Sequence, residues 1–506
     1  MKTTKLFFMA ALALTSVACS NDDNDIPQPV APEQPANGEI TITAIVSSDG
    51  EAATRALSIN GSNIASTFET TDEFAILFSD GTDQVKRIAT VSSLDGTTAK
   101  ITFTIPATVT TNTPCTIIYP ASAANAANTD ADVTTALAVQ NGDLSTAPDV
   151  RKGTATIDVS TKTLSSVSKL AAQNSIFKFA LKDIAGSDDK AATEFKVSDA
   201  SGNVITTVTL GSAASEFYVA LPVLETGTYW FNATADSKPC IAKATVSTAT
   251  MAGKYYQSTV KMATLGDLMG ANGKFYADAA AVTAASTTAI GVIAYLGNDA
   301  TTEAISDGGG HGLVLCLKNA ASGSGSQWST ETSLLEFGDD AKVTSHEGLM
   351  RTTNVSGYTN TKTLTEKTDA ATNYKAAYAA KNYTPAAPAG TTGWFLPSAQ
   401  QWVKMQTGLG GLNESAIKWG NSWFDSSHTG ATAWNTAFSK AGSGNYDSIM
   451  SSTSNHLYYW SSSENSAKCV VSLCVGPTSG TDGFWWNIGD KDMGPSNYRV
   501  RSVLAF

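Results

Sequence analysis

The chain has 506 residues, which predicts about three domains. Its 33 Lys and Arg against 45 Asp and Glu give a net charge of −12 with no basic stripe, which argues against nucleic acid as a partner. Charged residues are only 15%, and Thr, Ser, Ala and Gly take their place, a composition suited to an extracellular β-rich surface; beyond the first twenty residues no apolar run is long enough for a transmembrane helix.

Lys2 and Lys5 precede an apolar core, Leu6 to Leu14, that is too short to span a bilayer and reads as a secretion signal over residues 1–18. Ser16-Val17-Ala18-Cys19 resembles a bacterial lipobox, although leucine is more usual at the position of Ser16. The resemblance implies diacylglycerol on the Cys19 sulfur and an outer-membrane lipoprotein precursor. Residues 19–38 follow as a tether: Ser20-Asn21-Asp22-Asp23-Asn24-Asp25 resembles the acidic tags that send some Gram-negative lipoproteins to the cell surface, and Pro27, Pro29, Pro32 and Pro35 disfavour helix and sheet pairing.

Glu39 to Ser48 alternates, with Ile40, Ile42, Ala44 and Val46 on one face of a strand. Phe74 to Phe78, Ile101 to Ile105 and Cys115 to Tyr119 continue the period of two, and Gly, Asp, Asn and Thr turns between short strands predict a β-sandwich over 39–155. A second sandwich, without an exact sequence repeat, is expected over 156–264, with Phe177, Phe179 and Leu181, then Phe217, Val219 and Leu221, then Tyr229, Phe231 and Ala233 facing inward, and Tyr256, Ser258 and Val260 closing the set.

From about Leu265 the texture changes to an α+β domain, 265–506, that holds most of the tryptophans. Ser398-Ala399-Gln400-Gln401 is a capping-box pattern leading into Trp402, Val403 and Met405, and Gly408 and Gly410 stop that helix. Trp434 and Phe438 are four apart, on one helix face. Strands are expected at Ile290 to Tyr295, Gly312 to Leu317, Ala467 to Cys474 and Tyr498 to Phe506. The fold class is mainly β: two tandem sandwiches, then an α+β domain.

The lipobox, the early strand, Thr54-Arg55-Ala56-Leu57 and two Thr-rich sandwiches together resemble the fimbrillin family of type V pilus subunits, over roughly residues 1 to 265. That resemblance implies transthyretin-like sandwiches and a precursor cut after an arginine, here between Arg55 and Ala56, in an accessible polar segment. The cut removes the first strand with Ile40, Ile42 and Val46. A stalk subunit's donor strand then fills the open groove by β-augmentation.

Gly291-Val292-Ile293, Gly393-Trp394-Phe395-Leu396-Pro397-Ser398, Tyr459-Trp460-Ser461-Ser462-Ser463-Glu464 and Arg499-Val500-Arg501 resemble secreted domains related to the C-type lectin-like and sulfatase-modifying folds. The resemblance implies tryptophans packed beneath loops, with Ser and Glu satisfying loop backbone. The calcium-lectin Glu-Pro-Asn and Gln-Pro-Asp triplets are absent, and Trp486-Asn487 continues as Ile488-Gly489-Asp490, so no metal is expected. Trp485 and Trp486 for sugar stacking, with Asn487 and Asp490 as hydrogen-bonding partners, are the candidate ligand contacts.

Cys469 and Cys474 share the spacing of the active cysteines in formylglycine-generating enzymes, but Val470, Val471, Leu473 and Val475 around them read as a buried strand that sends the two thiols to opposite faces. Cys115 and Cys240 lie in apolar runs and read as buried free thiols; one disulfide among Cys316, Cys469 and Cys474 stays open. The four histidines have no metal-ligand spacing, no cofactor motif or catalytic constellation stands out, and binding is favoured over enzymatic chemistry. The expected function is a pilus-tip adhesin that accepts a strand but keeps its own last strand, Tyr498 to Phe506, and whose third domain meets a glycan or protein on a host or bacterial surface. The alternative is a permanently lipidated surface protein that binds such ligands without polymerising.

Overall fold

A computed structural model describes residues 38–48, 57–95, 98–299, 301, 311–320, 326–338, 341–351, 355–419, 429–450, 456–476, 483–494 and 497–506. The fold is mainly β. The first unit contains β1 (Glu39–Ser47), β2 (Ser58–Asn60), β3 (Asn63–Ala65), β4 (Glu73–Ser79), β5 (Gln84–Asp95), β6 (Thr98–Pro106), β7 (Thr113–Tyr119), β9 (Arg151–Asp158), β10 (Thr163–Ser165) and β11 (Ala171–Ala172), while β8 (Val139–Gln140) leaves it to join the next sheet. Its alternating apolar residues meet inside, where Ile42, Phe74, Ile101, Phe103 and Ile157 form one core with Leu164 and Leu170.

The expected boundary between residues 155 and 156 is corrected. It falls inside β9, whose pairing with β7 runs from Arg151 to Ile157, and β10 and β11 extend the unit to Ala172. The β9–β10 hairpin turns through Lys162 at φ 59°, and its Thr-rich strands look in sequence like the opening of a new domain.

The second unit contains β12 (Asn174–Asp183), β13 (Ala192–Ser198), β14 (Val204–Ala214), β15 (Glu216–Pro222), β16 (Gly227–Ala235), β17 (Lys238–Val246) and β18 (Tyr255–Thr264). Around the first unit the neighbours run β1, β6, β5, β4, β7, β9, β10 and back to β1; around the second they run β12, β15, β14, β13, β16, β17, β18 and back to β12. The topology is the same. In each, the first strand lies antiparallel to the fourth of the cycle's chain order and parallel to the last. The ladder is interrupted between β14 and β15, and the buried Gln140 amide occupies that region: its Nε2 donates to Ala220 O at 2.7 Å and Thr206 Oγ1 at 3.0 Å, and its Oε1 accepts from Ala220 N at 2.8 Å. Ala75, Leu77 and Ile118 of the first unit pack on Ile176 and Ala220 of the second.

The third unit has two sheets. One is ordered β20 (Phe275–Tyr276), β19 (Leu268–Gly270), β21 (Ala289–Leu296), β22 (Gly312–Cys316), β27 (Val503–Ala505); the other is β25 (Phe484–Asp490), β24 (Cys469–Val475), β23 (Leu457–Glu464), β26 (Tyr498–Arg499). The expected single strand from Tyr498 to Phe506 is therefore two short strands in different sheets, because buried Val500, Arg501 and Ser502 carry the chain across between them. Gly291 is required on β21: a Cβ there would lie 2.4 Å from Val314 Cγ1 and 2.7 Å from Leu315 O. The helix Ala399–Thr407 has both halves of its capping box, Ser398 with Gln401, and ends at Gly408; Trp434 and Phe438 are both buried on the helix Thr429–Ser439. Trp230, Ile241 and Ala263 of the second unit share a core with Met269, Ile290, Ile293 and Phe506 of the third.

Candidate functional site

The strand expected to leave is β1, and its sequence places it in the sheet by one rule. Ile42 and Val46 are fully buried and Ala44 is 5% exposed, whereas Ile45, on the opposite face, is 66% exposed. Ile40 is partly buried against the same core. Along one edge β1 is paired without interruption to β6, from Glu39 opposite Pro106 to Ser47 opposite Thr98.

Its other edge is nearly bare. Thr43 N donates to Lys162 O at 3.0 Å, Leu170 N donates to Ser47 O at 2.8 Å, and the register with β10 is Thr43 opposite Thr163 alone. The equivalent strand of the second unit is held on both edges: β12 pairs with β15 from Asn174–Pro222 to Ala180–Glu216, and with β18 from Ile176–Tyr255 to Asp183–Met262. The cause is the closing strand, three residues long in β10 and ten in β18. Cys19, Arg55 and Ala56 lie outside the described residues.

In the third unit, the four candidate contacts do not form one patch. Along β25, Trp485 and Asn487 are on one face and Trp486, Ile488 and Asp490 on the other. Trp486 is 2% exposed within the main core beside Leu473 and Phe484, a correction to its expected role as a surface contact. The Asp490 carboxylate accepts from Cys469 Sγ at 3.1 Å and pairs with Lys468 at 3.3 Å; these partners, the thiol first, hold it below the usual carboxylate range. Trp485 is half-buried, and Asn487 Nδ2 donates to Tyr498 Oη at 3.1 Å, next to the stacked rings of Tyr458 and Tyr498.

The Ser- and Trp-rich motifs hold loops in place. Trp460 Nε1 donates to Ser326 O at 2.7 Å, Trp328 Nε1 to Ser461 O at 2.9 Å, and Ser463 Oγ accepts from Ala399 N at 2.9 Å. Buried Glu464 accepts from the backbone N–H groups of Glu336 and Phe337 and pairs with buried Lys491 at 2.5 Å. Arg501, fully buried, donates to Cys316 O at 2.8 Å and lies over Phe438. Cys115, Cys240, Cys316, Cys469 and Cys474 are all free thiols; burial pushes Cys115 up to about 12 and Cys240 up to about 11. Among the described residues no three His, Cys, Asp or Glu side chains gather as a metal site.

Two features of this geometry had no sequence signal. The parallel return of β10 and β18 onto β1 and β12 is non-local, and Gln140 is an ordinary polar residue until its partners on β14 and β15 are in place.

Comparison with solved structures gives distant matches. Bacterial fimbrial and pilin proteins are among them. A fimbrial protein from Bacteroides ovatus is 16% identical, covers 93% of this chain and 100% of its own, and has a TM-score of 0.33. A fimbrial assembly protein from Parabacteroides distasonis is 9% identical over 44% of this chain and 90% of its own, with a TM-score of 0.23. A shaft pilin from Lactobacillus rhamnosus GG is 12% identical over 44% of this chain and 97% of its own, with a TM-score of 0.21. No family model matches the chain, and no curated protein matches it.

Proposed function

We propose that this chain is the adhesive tip subunit of a type V pilus. The precursor travels to the outer membrane as a lipoprotein anchored at Cys19. A cut between Arg55 and Ala56 then frees β1 and discards the lipid, and the donor strand of a stalk subunit takes the place of β1 against β6. The observation that carries this reading is the asymmetry between the two units: β1 has one full ladder and a nearly bare second edge, whereas β12 has two ladders. Loss of β1 exposes the unpaired edge of β6 and the core positions filled by Ile42, Ala44 and Val46, a groove that an alternating apolar strand fits.

The tip position rests on the third unit. Its last strand, β27, is committed to β22, with Leu313 opposite Ala505 and Leu315 opposite Val503, and Phe506 is buried against the second unit, so this segment is not offered to a neighbour. The third unit is the part placed to meet a glycan or protein on a host or bacterial surface, through the face of β25 that carries Trp485 and Asn487.

N-terminal sequencing and intact mass of the surface-shed protein test the proposal. A mature form beginning at Ala56 and lacking lipid supports it. A mature form that still begins at acylated Cys19 overturns the tip assignment and leaves a lipidated surface protein that does not polymerise.

A further inference from the structure

The second and third units meet along a cleft of about 650 Å³ that involves neither β1 nor β25. The second unit lines it with Lys190, just before β13, and with the turn between β16 and β17, where Asp236 and Ser237 are followed by Lys238. The third unit lines it with Tyr295 near the end of β21 and with Leu409 after the helix Ala399–Thr407. Tyr295 is fixed in place: its Oη donates to Asp299 Oδ1 at 2.6 Å, and Lys404 Nζ lies 5.1 Å from its ring centre. One unit thus contributes polar side chains and the other an aromatic and aliphatic surface.

The turn is the informative part. Ala235 is opposite Lys238 in the hairpin, so Asp236 and Ser237 are its two central residues, and their φ angles are 52° and 59°. A two-residue turn of this kind favours Asn-Gly or Asp-Gly, because in the left-handed region a Cβ crowds the following carbonyl oxygen. Elsewhere in the chain glycines take such positions, as Gly61 does at φ 60° and Gly81 at φ 98°. Here the chain keeps a serine. Among the described residues, the side chains of Lys190, Asp236, Ser237 and Lys238 make no hydrogen bond or ion pair. Polar residues on a hairpin tip are commonplace, but solvation alone does not offset the backbone cost of a serine there.

We propose that this cleft binds a short neutral oligosaccharide, with Lys190, Asp236, Ser237 and Lys238 hydrogen-bonded to its hydroxyls and the apolar face of a sugar ring against Tyr295. A hydroxyl both donates and accepts, so it satisfies a carboxylate and an ammonium group side by side, whereas an anion is opposed by Asp236 and a cation by the two lysines. A concave site with an aromatic side and a few fixed polar groups suits such a ligand. The site is independent of any cut at Arg55 and of the face that carries Trp485.

The test uses the full chain and four neutral trisaccharides, maltotriose, cellotriose, mannotriose and triacetylchitotriose, followed by calorimetry and by hydrogen exchange of the backbone amides. The expected result is binding of at least one of them below about 10 mM, with protection of amides within 235–238 and 407–411. Affinity should be at least tenfold weaker in Asp236→Asn/Ser237→Gly and in Lys190→Met/Lys238→Met. The first of these variants relaxes the turn, so its thermal midpoint should rise by about 2–4 °C while binding is lost. Side chains that served only the fold would give the opposite shift. The proposal is overturned if none of the four sugars binds, if the turn variant binds equally well, or if its midpoint falls. It is also overturned if protection appears within 484–490 instead, or if trigalacturonate binds with the same lysine dependence while the neutral sugars do not.

Discussion

A β1 peptide added back to a chain that starts at residue 57 should bind with a strict preference for one face. Ile42 is fully buried and Ile45 is 66% exposed, although both are isoleucines on the same strand and both sit in the ladder with β6. Truncating a fully buried isoleucine to alanine costs about 2–5 kcal/mol, and each 1.4 kcal/mol is tenfold, so Ile42→Ala in the peptide should weaken binding roughly 30- to 4,000-fold. Ile45→Ala should stay within about 0.5 kcal/mol, less than threefold. Val46→Ala should fall between them, because it removes less volume from an equally buried position. Titration calorimetry or anisotropy with the four peptides, wild type included, measures this directly, and the thermal midpoint of the truncated chain should rise with peptide concentration. If Ile42→Ala and Ile45→Ala weaken binding alike, the peptide is not re-entering the register of β1 and the acceptor-groove argument is wrong.

Gln140→Leu leaves the buried N–H and C=O of Ala220 without their amide partner and should cost about 2–4 kcal/mol, read as a fall in the urea midpoint; a loss below about 1 kcal/mol would mean that water replaces the amide. His311, 7% exposed and with its ring tilted against Trp230 at 4.0 Å between centroids, has its pKa lowered from 6.5 to about 4 by burial and by Lys243. The folded state therefore declines a proton that the unfolded chain accepts, so stability is full above about pH 6.5 and about 3 kcal/mol is lost as pH falls towards 4. Thermal scans across that range should show a fall that His311→Phe flattens, and equal slopes for both proteins would refute the assignment. Trp486→Ala should destabilise the third unit by about 3–5 kcal/mol and Trp485→Ala by much less; equal effects on the unfolding midpoint would contradict their opposite faces.

The inward positions of the sandwiches were readable because a period of two in Ile, Phe and Val can bury only one face: Ile101, Phe103 and Ile105, and Phe177, Phe179 and Leu181, are all in cores. The helix start at Ser398 was readable because its cap is made within four residues. The domain boundary was not, since β9 and β10 look like any Thr-rich hairpin and only their pairing with β7 and β1 assigns them to the first unit. The two tandem sandwiches were expected from strand spacing and apolar content, but their shared strand order was not, because it rests on non-local pairing rather than residue identity. In the candidate site, strand parity divides Trp485 and Trp486 into a half-buried residue and a core one, which composition alone does not tell apart. The parting of β17 from β18 beyond Ile241 and Ala263 is likewise marked by no local pattern.

The arm that ends in Gln140 also sets an order of events during synthesis. Its partners Thr206 and Ala220 lie 66 and 80 residues further along the chain. At about 5–20 residues per second, roughly 4–16 s pass between the emergence of Gln140 and that of Ala220. Until Ala220 has emerged, the Gln140 amide keeps only its local partner Leu137 O, and Leu77 and Ile118 lack the Ala220 contact, so the face that will join the two units stays open to other partners.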